Sequence, residues 1–351
     1  MFQIEALAAR EGDCLWVEWT HGRTRRRMLI DGGPGTSNAP PPPLAARIAS
    51  QPANERHFDL VVCTHIDSDH IGGLIGLFNR PPTAFNVGDV WFNGRQHLNP
   101  DMLGTDQGER LGTLLRSKRL PWNLTFGGRA VVVTDHGPLP QVTLPGLTLT
   151  LLSPTWRTLR DLARKWPSVV AEAERSTAAP PDLLGSEQTG PLHELARAPY
   201  VPDGSEANGS SIAFLAEHED GGRLLLGADA HAEVLVEGLD RLHNGRRVPV
   251  DLCKAPHHGS DHNLSLRLIR ALDCEHWLFS TNGARHGHPS RTAIGRLVTA
   301  RDNTVLWFNY RSETTREFAR PSVAQRYKFR AMHPTEDSPG IVVPVVTKAT
   351  P

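Results

Sequence analysis

The sequence lacks a long apolar run, and this absence bears on where the protein works. Nowhere do about eighteen apolar residues follow one another, so no segment has the composition of a membrane-spanning helix. The stretch from Met1 to Gly12 contains Glu5, Arg10 and Glu11 and no long apolar core, so we expect no signal peptide. These two absences predict a soluble, cytoplasmic protein with no membrane partner.

The sequence also lacks a net charge and cysteines at metal-binding spacing. Lysine plus arginine and aspartate plus glutamate number 38 each, which argues against a broad basic surface for nucleic acid, though not against a local patch. The four cysteines show no Cys-x-x-Cys spacing, and three of them lie in apolar, strand-like runs. We interpret them as buried thiols. At 351 residues the chain can bury a substantial core.

The stretch from Leu60 to Gly73 carries the strongest signal. Its apolar start predicts a buried strand, and it ends in a pair of glycines. Between them, four side chains that can bind a metal fall within six residues: His65, Asp67, Asp69 and His70. Alternation along an extended chain would send the first three to one side, and one ion could not use all four and stay open to a substrate. We therefore expect two ions; the alternative is a polar turn with solvated carboxylates and helix-capping histidines.

Three later clusters also lie directly after predicted strands. Asp229 follows the strand Leu224–Leu226, and we expect it to bridge the two ions. The other candidates follow two further apolar runs: His257, His258 and Ser260, then Arg285, His286 and His288. One of the paired histidines can bind metal, while Ser260 and the helix start after it offer donors to an anionic group. Single strand-end polar residues are common, but four such clusters in one chain predict a metal site.

The remaining pattern predicts alternating strands and helices. An early meander should span residues 2 to 30, with the run Arg23 to Arg27 as either a solvated hairpin tip or a contact for phosphates. Further strands are predicted at Val87–Phe92, Val131–Val133 and Leu147–Leu152, and helices at Leu44–Ala49, after Gly73 until Pro81, and at Glu109–Lys118. Residues 156–205 change to a polar helical pattern and then a Pro-, Gly- and Ser-rich stretch, which we interpret as an insertion, either a lid or a partner surface.

Several short motifs resemble the metallo-β-lactamase superfamily and, within it, the hydrolase domain of the ComEC competence proteins. The motifs are Glu11–Asp13, Ile30–Gly33, Thr64–Gly73, Asn208–Ser211, Leu226–Ala230, Lys254–Ser260 and Gly287–Pro289. In order and rough spacing they cover residues 1–310, apart from the insertion at about 156–205. Residues 311–351 are then a C-terminal extension that packs on this domain or trails from it. No counterpart of a membrane channel is present, so the chain looks like a stand-alone relative.

The resemblance implies an α/β fold, the αββα sandwich of the metallo-β-lactamase type, with a dinuclear metal site at one edge of the sheets. It implies one ligand set for each ion: His65 and Asp67 for the first, Asp69, His70 and His257 for the second, with Asp229 as the bridge. Asp67 stands where the superfamily usually has a second histidine. Ser153 stands where its middle histidine should fall, so the first site is incomplete unless His136, His258, His288 or water compensates.

The extra carboxylates bear on the metal and the reaction. Oxygen ligands suit harder ions, so we expect Mn²⁺ ahead of Zn²⁺. The implied function is a metal-dependent phosphodiesterase or nuclease, in which a hydroxide bridging two ions attacks phosphorus. The residues expected to act directly are Asp69, His258 and His288 in catalysis, and Ser260, Lys254 and Arg285 as phosphate contacts. Lys254 precedes Pro256 on a strand, and the alternative for it is a solvent-facing side chain.

Three functions compete at this point. A nucleic acid substrate fits the two-ion site, whereas the neutral overall charge favours a small ester, thioester or lactam, because one fold hosts many chemistries. The third alternative is a metal-containing subunit of a larger bacterial complex of the defence type, with the insertion at 156–205 as the docking surface for a protein partner.

Overall fold

The computed structural model describes residues 1–35, 38–98, 110–176, 189–335, 338 and 340–346. Its strands are β1 (Phe2–Leu7), β2 (Leu15–His21), β3 (Thr24–Ile30), β4 (His57–Phe58), β5 (Leu60–Val62), β6 (Asn86–Val87), β7 (Val90–Trp91), β8 (Gln141–Leu144), β9 (Leu147–Ser153), β10 (Ala213–His218), β11 (Arg223–Leu226), β12 (Val248–Pro249), β13 (Leu252–Lys254), β14 (Leu272–Asp273), β15 (His276–Phe279), β16 (Val305–Phe308), β17 (Arg330–Met332) and β18 (Gly340–Pro344).

Helices separate most of these strands. The α-helices are α1 (Pro42–Ala49), α2 (Ser68–Asn79), α3 (Arg95–Leu98), α4 (Arg110–Ser117), α5 (Trp156–Ser176), α6 (Leu192–Leu195), α7 (Glu206–Gly209), α8 (Ala232–His243), α9 (Leu266–Ala271), α10 (Arg291–Ala300) and α11 (Pro321–Arg326). Single turns of 3₁₀-helix lie at Ala53–Glu55, Leu124–Phe126, Pro256–Gly259 and Arg316–Ala319. None of the helices in the described ranges is long and apolar enough to cross a membrane.

The strands form two large sheets. The first has six strands in the order β18-β1-β2-β3-β5-β7, and the second has eight in the order β17-β16-β15-β13-β11-β10-β9-β8. In the first sheet β3, β5 and β7 run parallel, and in the second β11, β13, β15, β16 and β17 do so. Parallel neighbours end at the same edge of a sheet, so the segments that follow these strands emerge together.

Alternating burial shows that both faces of the six-stranded sheet are covered. Ile4 and Val17 belong to the core between the two sheets, whereas Trp16 and Leu29 point the other way, into a second core. Helices α1, α2, α4 and α5 contribute apolar side chains to that second core, and α8, α9 and α10 pack with the eight-stranded sheet. Helix, sheet, sheet and helix are therefore stacked in layers, and the predicted αββα sandwich is confirmed.

Two strand predictions differ from the structure. Val131–Val133 forms no strand and only a single bridge from Val133 to Thr155. The reason is that the Asn93 side chain bonds both the N–H and the carbonyl of Val131, at 2.8 Å each, and takes the place of a neighbouring strand. Val87–Phe92 is divided into β6 and β7, which pair with different strands.

The basic run at the β2–β3 hairpin is partly structural. Arg27 is buried, and its guanidinium contacts the carboxylates of Glu18 and Glu55 at 3.0 and 2.7 Å. Arg26 pairs with Asp59 at 2.6 Å. These two arginines serve the fold, so the phosphate contact considered for this run does not extend to them.

The segment predicted as an insertion begins with α5. Leu159, Leu162 and Trp166 are buried in the second core. Residues 177–188 of this segment lie outside the described residues. Farther on, the Arg296 side chain donates to the carbonyls of Ala198 and Pro199, and these hydrogen bonds hold the segment between α6 and α7 in place. The C-terminal segment supplies β17 to the eight-stranded sheet and β18 to the six-stranded sheet.

The helix predicted at Glu109–Lys118 corresponds to α4, and its first residue, Glu109, lies outside the described residues.

Candidate metal centre

The motif after β5 is extended in its first half and helical in its second. Strand β5 ends at Val62, and α2 begins at Ser68. The N–H groups of His70 and Ile71 donate to the carbonyl of Asp67 at 2.9 and 3.0 Å, which starts the helix. The prediction that alternation continues through Asp69 is therefore wrong: His65 and Asp67 lie on extended chain, whereas Asp69 and His70 project from the first helical turn.

Glycines let three loops meet at this turn. A Cβ on Gly12 would lie 1.7 Å from the carbonyl oxygen of Asp69, and a Cβ on Gly73 would lie 2.0 Å from that of Gly32. Only glycine permits main chain to approach main chain so closely. The contacts bring the loop after β1 and the loop after β3 onto the start of α2, and with them two more aspartates, Asp13 and Asp31.

Hydrogen bonds fix the rings of His65 and His70. The Thr64 hydroxyl donates to Asp31 Oδ2 at 2.7 Å, so its oxygen accepts from His65 Nδ1 at 2.9 Å. His70 Nδ1 donates to the same carboxylate oxygen at 2.8 Å. With the proton on Nδ1, each ring keeps its lone pair on Nε2.

His258 has the same arrangement from the other sheet. Its Nδ1 donates to the carbonyl of Ser280 at 2.7 Å and lies 3.4 Å from Asp13 Oδ1. Its Nε2 lies 3.6 Å from Asp69 Oδ2 and 3.5 Å from Asp229 Oδ2. His258 thus faces the same point as the motif after β5.

The converging atoms fit divalent ions. Nε2 of His65, His70 and His258 and Oδ1 of Asp229 are buried and have no hydrogen-bond partner among the described residues. His70 Nε2 lies 3.3 Å from Asp229 Oδ2, and His65 Nε2 lies 3.4 Å from Asp67 Oδ2 and 3.9 Å from Asp229 Oδ2. Buried polar atoms without partners are rare. Several such nitrogen and oxygen atoms that converge on one carboxylate fit the ligand set of a divalent metal ion.

The charges of these side chains also favour a cation. Burial lowers the pKa of His258, but Asp229 and Asp13 outweigh it and raise that pKa to about 9. Burial likewise opposes the charge on His70, yet Asp229 and Asp69 raise its pKa well above the ordinary value. Burial raises the pKa of Asp229, but His70 and His258 hold it well below its usual range. The buried carboxylates therefore favour positive charge on the histidines that face them, as they would favour a bound cation.

His257 stands beside the centre and is partly open to solvent. Asn263 Nδ2 donates to Asp203 Oδ2 at 2.9 Å and to the carbonyl of Asp229 at 3.1 Å, so Asn263 Oδ1 accepts from His257 Nδ1 at 2.8 Å. Asp203 Oδ2 lies 3.4 Å from the same nitrogen. His257 Nε2 then faces Asp229 Oδ2 at 3.7 Å, and 23% of the side chain is exposed.

The backbone is strained where these ligands are presented. Asp31, Ala228, His257 and His258 have φ of 57°, 46°, 45° and 53°, in the left-handed region that non-glycine residues rarely adopt. Such conformations persist only where the surroundings enforce them, and they concentrate at functional sites. Here they aim the two adjacent histidines and Asp229 at one centre.

The structure brings together six of the expected residues and changes the role of one. His65, Asp67, Asp69, His70 and Asp229 lie around one centre, as the atom distances above describe. The sixth is His258. It takes the place beside Asp69 and His70 that was expected for His257, because His258 Nε2 faces both Asp69 and Asp229. Ser153 is buried and its hydroxyl has no hydrogen-bond partner among the described residues.

Two expected substrate contacts are wrong because both side chains are buried. Lys254 is 0% exposed, and its ammonium pairs with Asp13. It therefore neither reaches a substrate nor faces solvent. Ser260 is 1% exposed, and its hydroxyl accepts from the N–H of His262 at 3.2 Å. The helix that follows has its own cap, because Ser265 accepts from the N–H of Leu268.

Arg285 and His288 lie in the loop after β15, at the rim. The ring of His288 is 5.2 Å from that of His257, and the ring of exposed His286 is 5.9 Å from that of His288. Burial, together with the charges of His257 and His258, holds the pKa of His288 well below its ordinary value. Arg285 is half-buried. His136, considered as a replacement ligand, is exposed in the turn that Arg241 contacts.

Four residues around the centre had no assigned role in the sequence interpretation. Asp31 directly follows β3, so the strand-end pattern that picked out Asp229 also applies to it. Asp13 lies in a loop between antiparallel strands, and Asp203 and Asn263 lie in irregular segments. Asp13 belongs to the Glu11–Asp13 motif of the resemblance, which gave it no role, and for Asp203 and Asn263 no local pattern indicates that the fold will carry them to the histidines.

The comparisons with known proteins give one family-model match over part of the chain and structural matches of low identity. Residues 9–85 match the family model of the metallo-beta-lactamase superfamily. No curated protein matches. Among solved structures, one described as a possible metal-dependent hydrolase from Veillonella parvula is 11% identical with a TM-score of 0.42, covering 98% of each chain. A metallo-beta-lactamase with a HARLDQ motif from Cronobacter sakazakii is 12% identical with a TM-score of 0.29, over 68% of this chain and 66% of that one, just under two thirds.

The family-model match covers β2, β3, the metal motif and α2, which are the parts that build one side of the centre. Because the TM-scores are low, the description of the site rests on this chain's own residues and not on the similar structures. The sheet order, the helical layers and the matched segment agree: the chain has the αββα fold of the metallo-β-lactamase type, and its histidine and aspartate cluster supports a metal-dependent hydrolase.

Proposed function

We propose that the protein is a phosphodiesterase or nuclease that depends on two divalent ions. The observation that carries this proposal is the ligand set, in which the carboxylates of Asp67, Asp69 and Asp229 stand beside three histidines whose Nε2 atoms face inward. His65 and Asp67 would hold one ion, Asp69, His70 and His258 the other, and Asp229 lies between the two groups. Such oxygen-rich sets favour Mn²⁺ over Zn²⁺.

When bound, two ions would supply Lewis acidity, activate water at neutral pH and neutralise charge that builds up on a phosphoryl group. Phosphoryl transfer needs mainly this electrostatic support and accurate positioning, since the protein has little covalent chemistry to perform. The chain's own part is to present six ligands from two sheets in fixed orientations. Asp31, Thr64 and Ser280 do this by holding the Nδ1 atoms of the histidines.

His257 is suited to give a proton to the leaving oxygen. Its Nδ1 is held by Asn263 and Asp203, its Nε2 faces the centre, and it is the partly exposed member of the histidine pair. Burial lowers the pKa of His257, but Asp229 and Asp203 raise it above the ordinary value, which favours the protonated ring. A donor in this position would protonate the departing alkoxide of a phosphodiester.

The first test is hydrolysis of labelled single- and double-stranded DNA by chelator-treated protein resupplied with Mn²⁺, Mg²⁺ or Zn²⁺. We expect cleavage that requires the ion and falls by at least about a thousandfold in Asp69→Ala, because loss of a ligand disrupts charge stabilisation worth several kcal/mol. Asp302→Asn is the matched control, since Asp302 is exposed and pairs with exposed Lys328. Equal rates in Asp69→Ala and the control would reject the proposal.

A small carbon ester, thioester or lactam is the second candidate. The observation that favours it is the balance of 38 basic and 38 acidic residues, since a long polyanion is usually met by a basic surface. A parallel assay with bis(4-nitrophenyl) phosphate, 4-nitrophenyl acetate and a chromogenic lactam separates the candidates. Turnover of the ester or lactam alone, lost in Asp69→Ala, would favour the second.

A further inference from the structure

A fully buried ion pair lies directly behind the candidate metal centre. Lys254 is the last residue of β13 in the eight-stranded sheet, and Asp13 lies just before β2 in the six-stranded sheet. The Lys254 ammonium pairs with Asp13 Oδ2, and the side chains are 0% and 1% exposed. The pair therefore joins the two sheets at the edge where the ligands converge.

The pair reaches the centre through His258. Asp13 Oδ1 lies 3.4 Å from His258 Nδ1, on the side of the ring opposite the nitrogen that faces Asp69 and Asp229. A carboxylate on the far nitrogen of a ligand histidine fixes the orientation of the ring and increases its basicity as a ligand. Here the Ser280 carbonyl accepts the Nδ1 proton of His258 at 2.7 Å, so Asp13 acts on this ring through its nearby negative charge, whereas Asp31 accepts a hydrogen bond from His70 at 2.8 Å.

A purely structural role explains this pair poorly. Burying two charges costs several kcal/mol for each ion, and apolar residues of similar volume are often as stabilising. Beyond the ion pair itself, neither the Lys254 ammonium nor the Asp13 oxygens have a hydrogen bond among the described residues. An oxygen of Asp13 also lies within 4.8 Å of ligand atoms of Asp229 and His258. Without a neighbouring cation, Asp13 would add an uncompensated charge to a site already rich in carboxylates.

We propose that Asp13 and Lys254 are positioning residues of the metal centre: Asp13 places a negative charge behind the His258 ring and so increases its basicity as a ligand, and Lys254 holds Asp13 in place and offsets its charge. This assigns Lys254 a role behind the ligands instead of at the substrate. It rests on the metal centre of the proposed function and is independent of which ester is hydrolysed.

The test is ion binding by the double variant Asp13→Asn/Lys254→Met, which replaces the pair with neutral side chains. Mn²⁺ and Zn²⁺ are titrated into chelator-stripped protein by calorimetry, and Co²⁺ is added to record its visible absorption. We expect the tightest ion to bind about 10- to 100-fold more weakly than in wild type, with a changed Co²⁺ spectrum. The Tm of the metal-free double variant should stay near wild type, whereas Lys254→Met alone should lower it, because that leaves Asp13 buried and unpaired.

The control is a second buried ion pair that contacts none of the candidate ligands. Glu18 and Arg27 pair at 3.0 Å, with side chains 4% and 3% exposed. Glu18→Gln/Arg27→Met should change the Tm and leave ion affinity and the Co²⁺ spectrum as in wild type. A Tm loss in the Asp13/Lys254 double variant as large as in this control, with unchanged ion affinity and spectrum, would overturn the proposal. Wild-type protein that takes up no ion would instead defeat the metal centre itself.

Discussion

Three histidines of the candidate centre share one arrangement. In His65, His70 and His258, Nδ1 is bonded to an anchored oxygen, while Nε2 is buried and faces the other ligands. The oxygens come from Thr64, the carboxylate of Asp31 and a backbone carbonyl. Each ring is therefore oriented before any ion arrives, and less conformational freedom remains to be lost on binding.

Asp203 should act through His257. In Asp203→Asn the charge that supports a proton on His257 is removed, so we expect the rate constant kcat for alkyl phosphodiesters to fall at least about tenfold, which is a part of the roughly 10²–10⁴-fold that a proton donor contributes. KM should change little, and the alkaline limb of the pH profile should move to lower pH. The measurement is kcat and KM from pH 5 to 9.

The leaving group supplies an internal control for the role of Asp203. A 4-nitrophenolate departs without needing a proton, so Asp203→Asn should retain most of the wild-type rate on bis(4-nitrophenyl) phosphate. The matched surface variant Asp302→Asn should behave as wild type on both substrates. Equal losses on activated and alkyl substrates would show that Asp203 does not assist a proton transfer.

At this scale the sequence indicates ligands better than it indicates their supports. His65, Asp229 and the histidine pair stand directly after strands, and strand ends meet at one edge of a parallel sheet. The roles of His257 and His258 depend on positive φ angles of 45° and 53°, which the local sequence does not specify. Lys254 occupies an ordinary strand position, and its burial becomes evident only when Asp13 arrives from the other sheet.

At the scale of elements, the centre depends on loops that pack against the first turn of α2. Gly12→Ala places a methyl group 1.7 Å from the carbonyl oxygen of Asp69, so backbone must move. We expect a loss of about 1–3 kcal/mol in the free energy of unfolding, as overpacking usually costs, and weaker ion binding because Asp13 and Asp69 shift apart. Denaturant titration and calorimetry measure the two effects.

Gly204→Ala is the matched control for this substitution. A Cβ on Gly204 meets nothing within 4 Å, and neither Gly12 nor Gly204 has a positive φ. The control should leave stability and ion binding unchanged. If Gly12→Ala also left stability and ion binding unchanged, the close approach of these loops would not be needed for the metal centre.

The elements themselves were predicted where their pattern is regular. The meander β1–β3 and the strands β9 and β11 follow clear alternation or apolar runs. The metal motif changes from extended to helical at Ser68 without a change in polarity, and periodicity cannot locate such a change. Val131–Val133 has strand composition, but Asn93 takes its hydrogen bonds.

At the scale of the whole molecule, the buried charges couple stability to pH and to metal. Burial raises the pKa of Asp69, but His70 and His258 hold it well below the ordinary 3.8, and Asp229 is lowered likewise. These carboxylates stabilise the protein above about pH 4, and the stabilisation is lost in acid. His258, raised from 6.5 to about 9, stabilises fully below pH 6.5 and progressively less as pH rises through 9.

We therefore expect the metal-free protein to be most stable between about pH 4 and 6.5 and to lose stability toward pH 9. Ions bind the deprotonated histidines, so added Mn²⁺ should raise the Tm more at pH 9 than at pH 6. Calorimetric scans with chelator and with Mn²⁺ at both pH values measure this difference. A Tm gain that shrinks as pH rises would contradict the assignment of these histidines.

The pairing of β1 with β18 has a consequence for how the protein is made. Phe2–Leu7 is synthesised long before its outer neighbour Gly340–Pro344, and the Asn309 side chain donates to the carbonyl of Leu7 from 302 positions away. Contacts this distant in sequence slow folding, because a long loop must close before they form. During synthesis β1 therefore keeps an open edge until β18 has been made, and a nascent chain stalled before β18 exposes a strand that pairs readily with other chains.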